Sequence, residues 1–253
     1  MDKQPYVKTE ERDGISIVEF YHPAHNSLPG NLLADLRDQI LAEGYKDHVN
    51  IILLRSAGDR TFCAGASFNE LASIDNPEDG KRFFMGFADV INAIRSCGKI
   101  VVGRIQGKAV GGGVGLASAC DYVMSTKFAS VKLSELAVGI GPFVIGPAVE
   151  RKVGLSAFSQ MALNATEWQT AEWAKSRGLF QEVFETTEQL DEYLDHFLNI
   201  LNSSNPVALA ELKKVFWQNT DDWDQLLMKR AETSGRLVLS THARSAINRF
   251  LNP

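Results

Sequence analysis

Four of the five residues from Gly111 to Gly115 are glycine, and the run follows the apolar segment Ile100–Ile105. Because glycine costs about 1 kcal/mol more than alanine in a helix, such a run indicates a main chain that comes very close to another group. A strand, a glycine turn and a helix start together present N–H groups without helical partners and the positive end of a helix dipole. The run therefore predicts an anion or oxyanion site built from main-chain atoms.

A second segment of small residues, Thr61–Ser67, is a candidate for another part of that site. It contains Ala64, Gly65 and Ala66, whose small side chains allow a ligand to touch the backbone. Alone, this segment fits an ordinary tight loop equally well, and the glycine run alone fits close helix–strand packing. Together, the two segments offer N–H donors from separate loops, which is the arrangement that an enolate or a tetrahedral oxyanion requires.

Glu135 is a candidate general acid or base because it stands in the otherwise apolar stretch Ser130–Ile140. Apolar neighbours would partly desolvate its carboxyl group and raise its pKa toward a value useful for proton transfer. The alternative is an exposed helix-cap or loop glutamate, which the spacing alone favours. Cys63 has no histidine that sequence spacing would place beside it, so it is interpreted as a small packing residue.

Several other chemical motifs are missing from the sequence. The glycine run lacks the spacing of a dinucleotide-binding loop, and neither GxxxxGK[ST] nor GxSxG occurs. The three cysteines form neither a metal-ligand spacing nor a disulfide framework. We therefore expect no metal site.

The composition predicts a soluble protein of a reducing compartment. The 253 residues, 45% of them hydrophobic, suffice for one large domain or for one domain with a helical appendage. The net charge of −5 argues against nucleic-acid binding, which needs a clustered basic surface. No apolar run reaches the roughly 20 residues of a membrane span, and the N-terminal residues lack the apolar core of a secretion signal. We expect a cytoplasmic location and no membrane partner.

Hydrophobic spacing and turn residues predict alternating strands and helices before Trp168. The predicted strands are 6–11 and 15–20 (a hairpin about Asp13-Gly14), 50–55, 99–105, 121–125 and 130–132. The predicted helices are 28–41, 70–73, 78–95 and the one that begins in the glycine run and ends at about 119, with a loop over 56–66. This alternation predicts an α/β fold. After Trp168 the pattern predicts helices over 188–201 (with Thr187 as N-cap), 206–218, 222–233 and 236–251.

Assembled in order, these residues resemble the crotonase (enoyl-CoA hydratase/isomerase) superfamily. The resemblance runs from about Val7 to Glu185, and it rests on the segments 23–28, 62–66, 107–113 and 119–122 and on Ser134-Glu135 followed by Gly139-Ile140. Each segment is weak alone, whereas the ordered set is highly specific. The resemblance implies an α/β spiral of ββα units over residues 1–195 and a C-terminal helical region, 196–253, that serves oligomerisation or forms a lid. It also implies a homotrimer, or a hexamer made of two trimers.

The resemblance further implies an acyl-CoA thioester as substrate, with no cofactor, because coenzyme A is part of that substrate. By position, the amides of Ala66 and Gly112 correspond to an oxyanion hole for the thioester oxygen, and Glu135 corresponds to the acid/base. Each donor in such a hole is worth roughly 3–4 kcal/mol of barrier. The other residues expected to contact the substrate are Ala64, Gly65, Ser67, Gly111 and Gly115, with the backbone of 64–67 on the adenine side.

Gly115 is a departure from the family pattern, because typical hydratases carry a first glutamate at that place and a second one at the place of Glu135. Hydration of a 2-enoyl-CoA is favoured because it is the commonest activity among such relatives. Isomerisation by Glu135 alone is the alternative, since some family isomerases have a similar stretch to 139–143. The missing acid at Gly115 also fits a non-catalytic acyl-CoA binder or an assembly subunit. We expect Phe83, Phe84 and Phe87 to be either walls of the acyl pocket or ordinary aromatic residues of a helix core.

Overall fold

The computed structural model describes residues 4–251, which form two β-sheets covered by helices. The larger sheet contains, in order across it, β1 (Tyr6–Arg12), β2 (Ile15–Tyr21), β3 (Ile51–Ser56), β5 (Ile100–Ile105), β7 (Tyr122–Thr126) and β10 (Glu182–Phe184). The smaller sheet contains β4 (Thr61–Cys63), β6 (Lys108–Val110), β8 (Ser130–Lys132) and β9 (Gln169–Thr170). Neighbouring strands are parallel except for the β1–β2 and β8–β9 pairs.

The chain winds as a spiral because each turn adds one strand to each sheet and then a helix. β3 and β4 are followed by α2 (Phe68–Ser73) and α3 (Pro77–Ser96). β5 and β6 are followed by α4 (Gly112–Ala119), and β7 and β8 are followed by α5 (Gly146–Leu163). The predicted α/β spiral of ββα units is confirmed.

The first two strands form the hairpin predicted at Asp13-Gly14. Both turn residues have positive φ angles, 50° and 81°, as a two-residue type I′ turn requires. The register places Arg12 opposite Ile15. The Gly14 carbonyl accepts a hydrogen bond from Asn50 N at 2.7 Å, so the turn also fixes the start of β3.

The other helices are α1 (Gly30–Gly44), α6 (Ala171–Ser176), α7 (Thr187–Asn202), α8 (Pro206–Phe216), α9 (Trp223–Leu237) and α10 (Thr241–Leu251). α9 packs along α3 so closely that a Cβ atom on Gly80 would lie 2.7 Å from the Gly235 Cα. α10 contacts α2 and the 3₁₀ turn Leu136–Val138. The boundary predicted after residue 195 lies within α7 and stays a prediction. None of the helices within residues 4–251 is long and apolar enough to cross a membrane.

The sequence did not predict several elements of the structure, which are β4, β6, β9, β10, α5, α6 and the 3₁₀ turn Leu136–Val138. The segment 56–66, predicted as a loop, contains β4, which at three residues is too short to show a hydrophobic period. α5 was not predicted because Gly154, with a φ of 77°, interrupts both the helical geometry and the helical spacing of hydrophobic residues.

Several predicted helix boundaries differ from those of the structure, and two of the differences have an identifiable reason. The helix predicted to begin at Arg236 begins at Thr241, because α9 continues to Leu237 before the chain turns. The N-cap of α7 is Thr186 rather than Thr187, since the Thr186 hydroxyl accepts a hydrogen bond from Gln189 N at 3.3 Å. Adjacent threonines are equally good caps by residue type, so only the geometry distinguishes them.

A buried ion pair joins α8 to the core. Lys213 Nζ lies 2.6 Å from Asp121 Oδ2, and the two side chains are only 3% and 2% exposed. Asp121 also accepts hydrogen bonds of 2.8 Å from Trp217 Nε1 and from Val101 N. One carboxylate therefore connects the start of β5 with α8 and the residue after it.

Replacing Lys213 by methionine should lower the free energy of unfolding by about 3–5 kcal/mol, because Asp121 would stay buried without its cation. Urea unfolding measures the loss. The matched control is Lys214→Met, since Lys214 pairs with Glu211 on the surface, where both side chains are largely exposed. Such exposed pairs contribute at most about 1 kcal/mol. Equal losses in the two variants would contradict the role of the buried pair.

Candidate active site

A cavity of about 570 Å³, its open mouth included, lies where the glycine turn faces the loop after β4. Among the described residues, Glu135 provides its sole ionisable side chain, and most of the remaining wall is apolar. The wall combines segments that are distant in sequence, namely Ala64–Ala66, Phe84 and Phe87 of α3, Gly111-Gly112, Ser134-Glu135, 140–145 and Ser234 of α9. A ligand here would meet hydrophobic surface, main-chain amides and one carboxyl group.

Neighbouring groups leave no room for a side chain at the first three positions of the glycine turn. Gly111 has a φ of 51°, and a Cβ atom on it would lie 2.8 Å from Glu135 Oε1. A Cβ atom on Gly112 would overlap the ring of Phe87, and one on Gly113 would lie 2.5 Å from the carbonyl oxygen of Cys63. Glycine therefore allows the start of α4 to lie directly against the carboxyl group, the α3 ring and the β4 backbone. Close packing therefore occurs at a helix start that also lines the cavity.

The amides of Ala66 and Gly112 are available to a ligand. In the part of the chain that the structure describes, neither N–H donates a hydrogen bond to a protein acceptor. The Gly65 carbonyl accepts from Leu28 N at 2.8 Å, which fixes the peptide that carries the Ala66 N–H. A Cβ atom on Gly65 would lie 3.4 Å from Gly112 N, so the two loops are immediate neighbours. Buried amides normally find a partner, which makes this pair a candidate oxyanion site.

The Glu135 carboxyl group belongs to the wall of the cavity. Its Oε2 atom is buried and, among residues 4–251, unpaired. Burial raises the pKa of this carboxyl from 4.5 to about 7. Glu135 follows β8 by three residues. The last residue of β8, Lys132, accepts a hydrogen bond of 2.8 Å at its carbonyl from Gly111 N, which ties the end of this strand to the glycine turn. The alternative of an exposed helix-cap or loop glutamate is wrong, because the Oε2 atom is buried. The walls around the carboxyl group come from distant parts of the chain, so sequence spacing did not show them.

The structure brings six of the eight predicted site residues to this cavity. They are Ala64, Gly65, Ala66, Gly111, Gly112 and Glu135. Their roles toward a substrate stay predictions. Phe84 and Phe87 also line the cavity and belong to the hydrophobic core, while their role as walls of an acyl pocket stays a prediction. Phe83 lies beside a different surface groove.

Ser67 and Gly115, in contrast, do not line the cavity, and their contact with a substrate stays a prediction. The Ser67 hydroxyl caps α2 by accepting a hydrogen bond from Glu70 N at 3.4 Å. Gly115 lies behind Ile145, whose Cβ would be 2.7 Å from a Cβ atom on that glycine. The position expected for a first glutamate is therefore covered by an aliphatic side chain.

Sequence reasoning missed most of the wall opposite the glycine turn. Segment 140–145 follows Gly139, and both Gly139 and Gly141 have positive φ angles, 78° and 109°. The two glycines flanking Ile140 were a usable signal of an irregular loop. Nothing in the sequence pairs Ser234 with this site, because it arrives through the packing of α9 on α3.

Replacing Glu135 by glutamine should stabilise the fold at pH 8 and leave it nearly unchanged at pH 4.5. The pKa of Glu135 is higher in the folded protein than its ordinary value, so the folded state holds the proton more tightly. Stability therefore falls as pH rises from about 4.5 to about 7, and the glutamine variant escapes that loss. The gain should be roughly 1–3 kcal/mol, since one pKa unit corresponds to about 1.4 kcal/mol.

Urea unfolding of both proteins at pH 4.5 and pH 8 measures this difference. Glu167→Gln is the control, because Glu167 is exposed and outside the cavity. A gain that is the same at both pH values would contradict the burial of an ionisable group at residue 135.

The chain belongs to the enoyl-CoA hydratase/isomerase family, whose model matches residues 10–251. This match confirms the resemblance to the crotonase superfamily, a group that acts on acyl-CoA substrates. Members of the family are typically oligomeric, whereas a trimer or hexamer of this chain stays a prediction.

Relatives with different named activities are similar to this chain. A peroxisomal Delta(3,5)-Delta(2,4)-dienoyl-CoA isomerase of Arabidopsis thaliana is 28% identical over 215 residues, 79% of this chain and 76% of that protein. A short-chain-enoyl-CoA hydratase of Clostridium acetobutylicum is 26% identical over 249 residues, 97% of this chain and 94% of that protein. The crystal structure of an enoyl-CoA hydratase from Bacillus halodurans has a TM-score of 0.89 at 23% identity, covering 96% of this chain and 99% of that one. The last likeness concerns the fold alone.

Proposed function

We propose that this protein adds water to a 2-enoyl-CoA, with Glu135 as the acid/base and with the amides of Ala66 and Gly112 holding the thioester oxygen. The observation that carries the proposal is that the buried, unpaired Oε2 atom of Glu135 shares one cavity with the unpaired amides of Ala66 and Gly112. A carboxyl group with a pKa of about 7 is half ionised at neutral pH, which suits it both to take and to return a proton.

The proposed reaction passes through an enolate. The Glu135 carboxylate takes a proton from water as the water oxygen bonds to the β-carbon. The electron pair of the double bond moves onto the thioester oxygen, where the amides of Ala66 and Gly112 stabilise its negative charge. Glu135 then donates its proton to the α-carbon, which restores the thioester carbonyl and the carboxylate. The net change is the addition of H and OH across the double bond.

A neighbouring groove supports coenzyme A as the carrier of the acyl group. Ala64 lines both the cavity and an open groove of about 1340 Å³. That groove also contains Arg60 and Lys108, whose cations suit phosphate groups. We place the nucleotide end of the substrate in this groove and the thioester beyond Ala64.

Isomerisation of a 3-enoyl-CoA to a 2-enoyl-CoA is the second candidate, and one observation favours it. Ile145 covers Gly115, so no second carboxylate faces the cavity from that position to hold the attacking water. Isomerisation needs no water, since Glu135 would remove the α-proton and return it at the γ-carbon. Both reactions use the same carboxyl group and the same enolate.

Absorbance of the conjugated thioester distinguishes these reactions. Purified protein should remove the absorbance of a 2-enoyl-CoA if it adds water. It should instead generate that absorbance from a 3-enoyl-CoA if it isomerises. Measurable binding of both thioesters with no change in either signal, over several chain lengths, would reject both reactions and favour the non-catalytic binder.

A further inference from the structure

The cavity has a second neighbour, whose wall does not include Ala64. Pro142 and Phe143 line the cavity and also a second cavity between α5 and α9, of about 600 Å³ with its opening to solvent included. The second cavity has an apolar interior that includes Phe158 and Ala162, and its charged residues, Glu150 and Arg230, are exposed to solvent. A chain that entered past Ala64 and continued through the first cavity would meet Phe143 next.

The Phe143 ring is held in place by its own loop. Phe143 N donates a hydrogen bond to the Gly141 carbonyl at 2.9 Å, which forms a tight turn about Pro142. A Cβ atom on Gly141 would lie 2.7 Å from Phe143 Cε2, so the ring packs directly against that glycine. Phe143 therefore belongs, with Pro142, to the partition that the two spaces share, and Gly141 supports its ring.

We infer that Phe143 limits the length of the acyl group and that the second cavity would accept the far end of a longer one if the partition were removed. This inference rests on the proposed function, because it places the acyl group on the Phe143 side of the thioester. The partition makes the natural substrate an apolar acyl group short enough to end before Phe143. Longer chains gain nothing from their added methylene groups, because those groups find no apolar surface.

Calorimetric titration of saturated acyl-CoA thioesters tests this inference without depending on turnover. We expect the wild-type protein to bind octanoyl-CoA no more tightly than butyryl-CoA. Phe143→Ala should raise the preference for octanoyl-CoA at least tenfold, because each newly buried methylene contributes a factor of about four. Phe143→Leu, a milder change for the case in which the alanine variant does not fold, should shift the preference in the same direction.

Blocking the second cavity provides the matched control. Ala162→Phe added to Phe143→Ala should cancel the gain, because residue 162 lines the second cavity only. Leu163→Phe added to Phe143→Ala should keep it, since the neighbouring Leu163 is 73% exposed. A gain that survives Ala162→Phe, or an unchanged preference in both Phe143 variants, would overturn the inference while leaving the proposed function intact. Failure of the wild-type protein to bind either thioester would overturn both.

Discussion

Replacing Glu135 by glutamine should reduce turnover by roughly 10²–10⁴-fold, the usual contribution of a positioned acid/base group. Glutamine keeps the size of the side chain but neither takes nor releases a proton at neutral pH. The loss should fall on kcat, while the affinity for a saturated acyl-CoA should stay close to that of the wild type. Steady-state kinetics with the substrate identified by the absorbance assay, together with calorimetric binding, separate the two quantities.

Glu167→Gln is the matched control for this experiment. It makes the same chemical change at an exposed glutamate that does not line the cavity. Its turnover should equal that of the wild type. A Glu135→Gln protein that turned over at the wild-type rate would remove the proposed role of Glu135, whatever reaction the protein catalyses.

Replacing Gly112 by alanine should reduce kcat by roughly 10²–10³-fold, the typical effect of losing one oxyanion donor. The added Cβ atom would overlap the ring of Phe87, which is buried in α3, so the start of α4 has to move. Moving the helix start displaces the Gly112 N–H from the thioester oxygen. The N–H itself remains, so the effect tests its position rather than its presence.

The paired change Phe87→Ala provides the rescue. Removing the ring makes room for the new methyl group, so the double variant Gly112→Ala/Phe87→Ala should regain most of the lost kcat relative to Phe87→Ala alone. Circular dichroism and thermal unfolding verify that each variant is folded. A Gly112→Ala protein with wild-type kcat, or a double variant with no recovery, would contradict the placement of this amide.

Local sequence signals predicted the elements that local geometry determines. The Asp13-Gly14 turn has two positive φ angles, which few other dipeptides tolerate, and the hairpin follows from it. The long apolar period of α3 similarly predicts a helix. α5 was missed because its hydrophobic pattern is broken at Gly154, and its packing against α4 is visible only in three dimensions.

The site was predictable where it is made of main chain and only partly predictable where it depends on burial. Runs of small residues indicated the loops of Ala66 and Gly112, because close approach restricts residue type. The state of Glu135 depends on walls such as Phe87 and Ile145, which lie 48 residues before it and 10 residues after it in the sequence. No local feature of the sequence indicates that Ile145 covers Gly115, so only the three-dimensional structure shows this contact.

The last helix touches the wall of the cavity, and this contact has a consequence for synthesis of the protein. The rings of Phe68, which lines the cavity, and Phe250, near the end of α10, stack with their centroids 3.9 Å apart. The ribosome therefore has to add Phe250 to the chain before this contact, which supports the wall, can form. A nascent chain that stops before α9 already contains the glycine turn and Glu135 but lacks Ser234 and Phe250. Its apolar pocket would be open to water, so we expect such a chain to be a substrate for chaperones rather than an active enzyme.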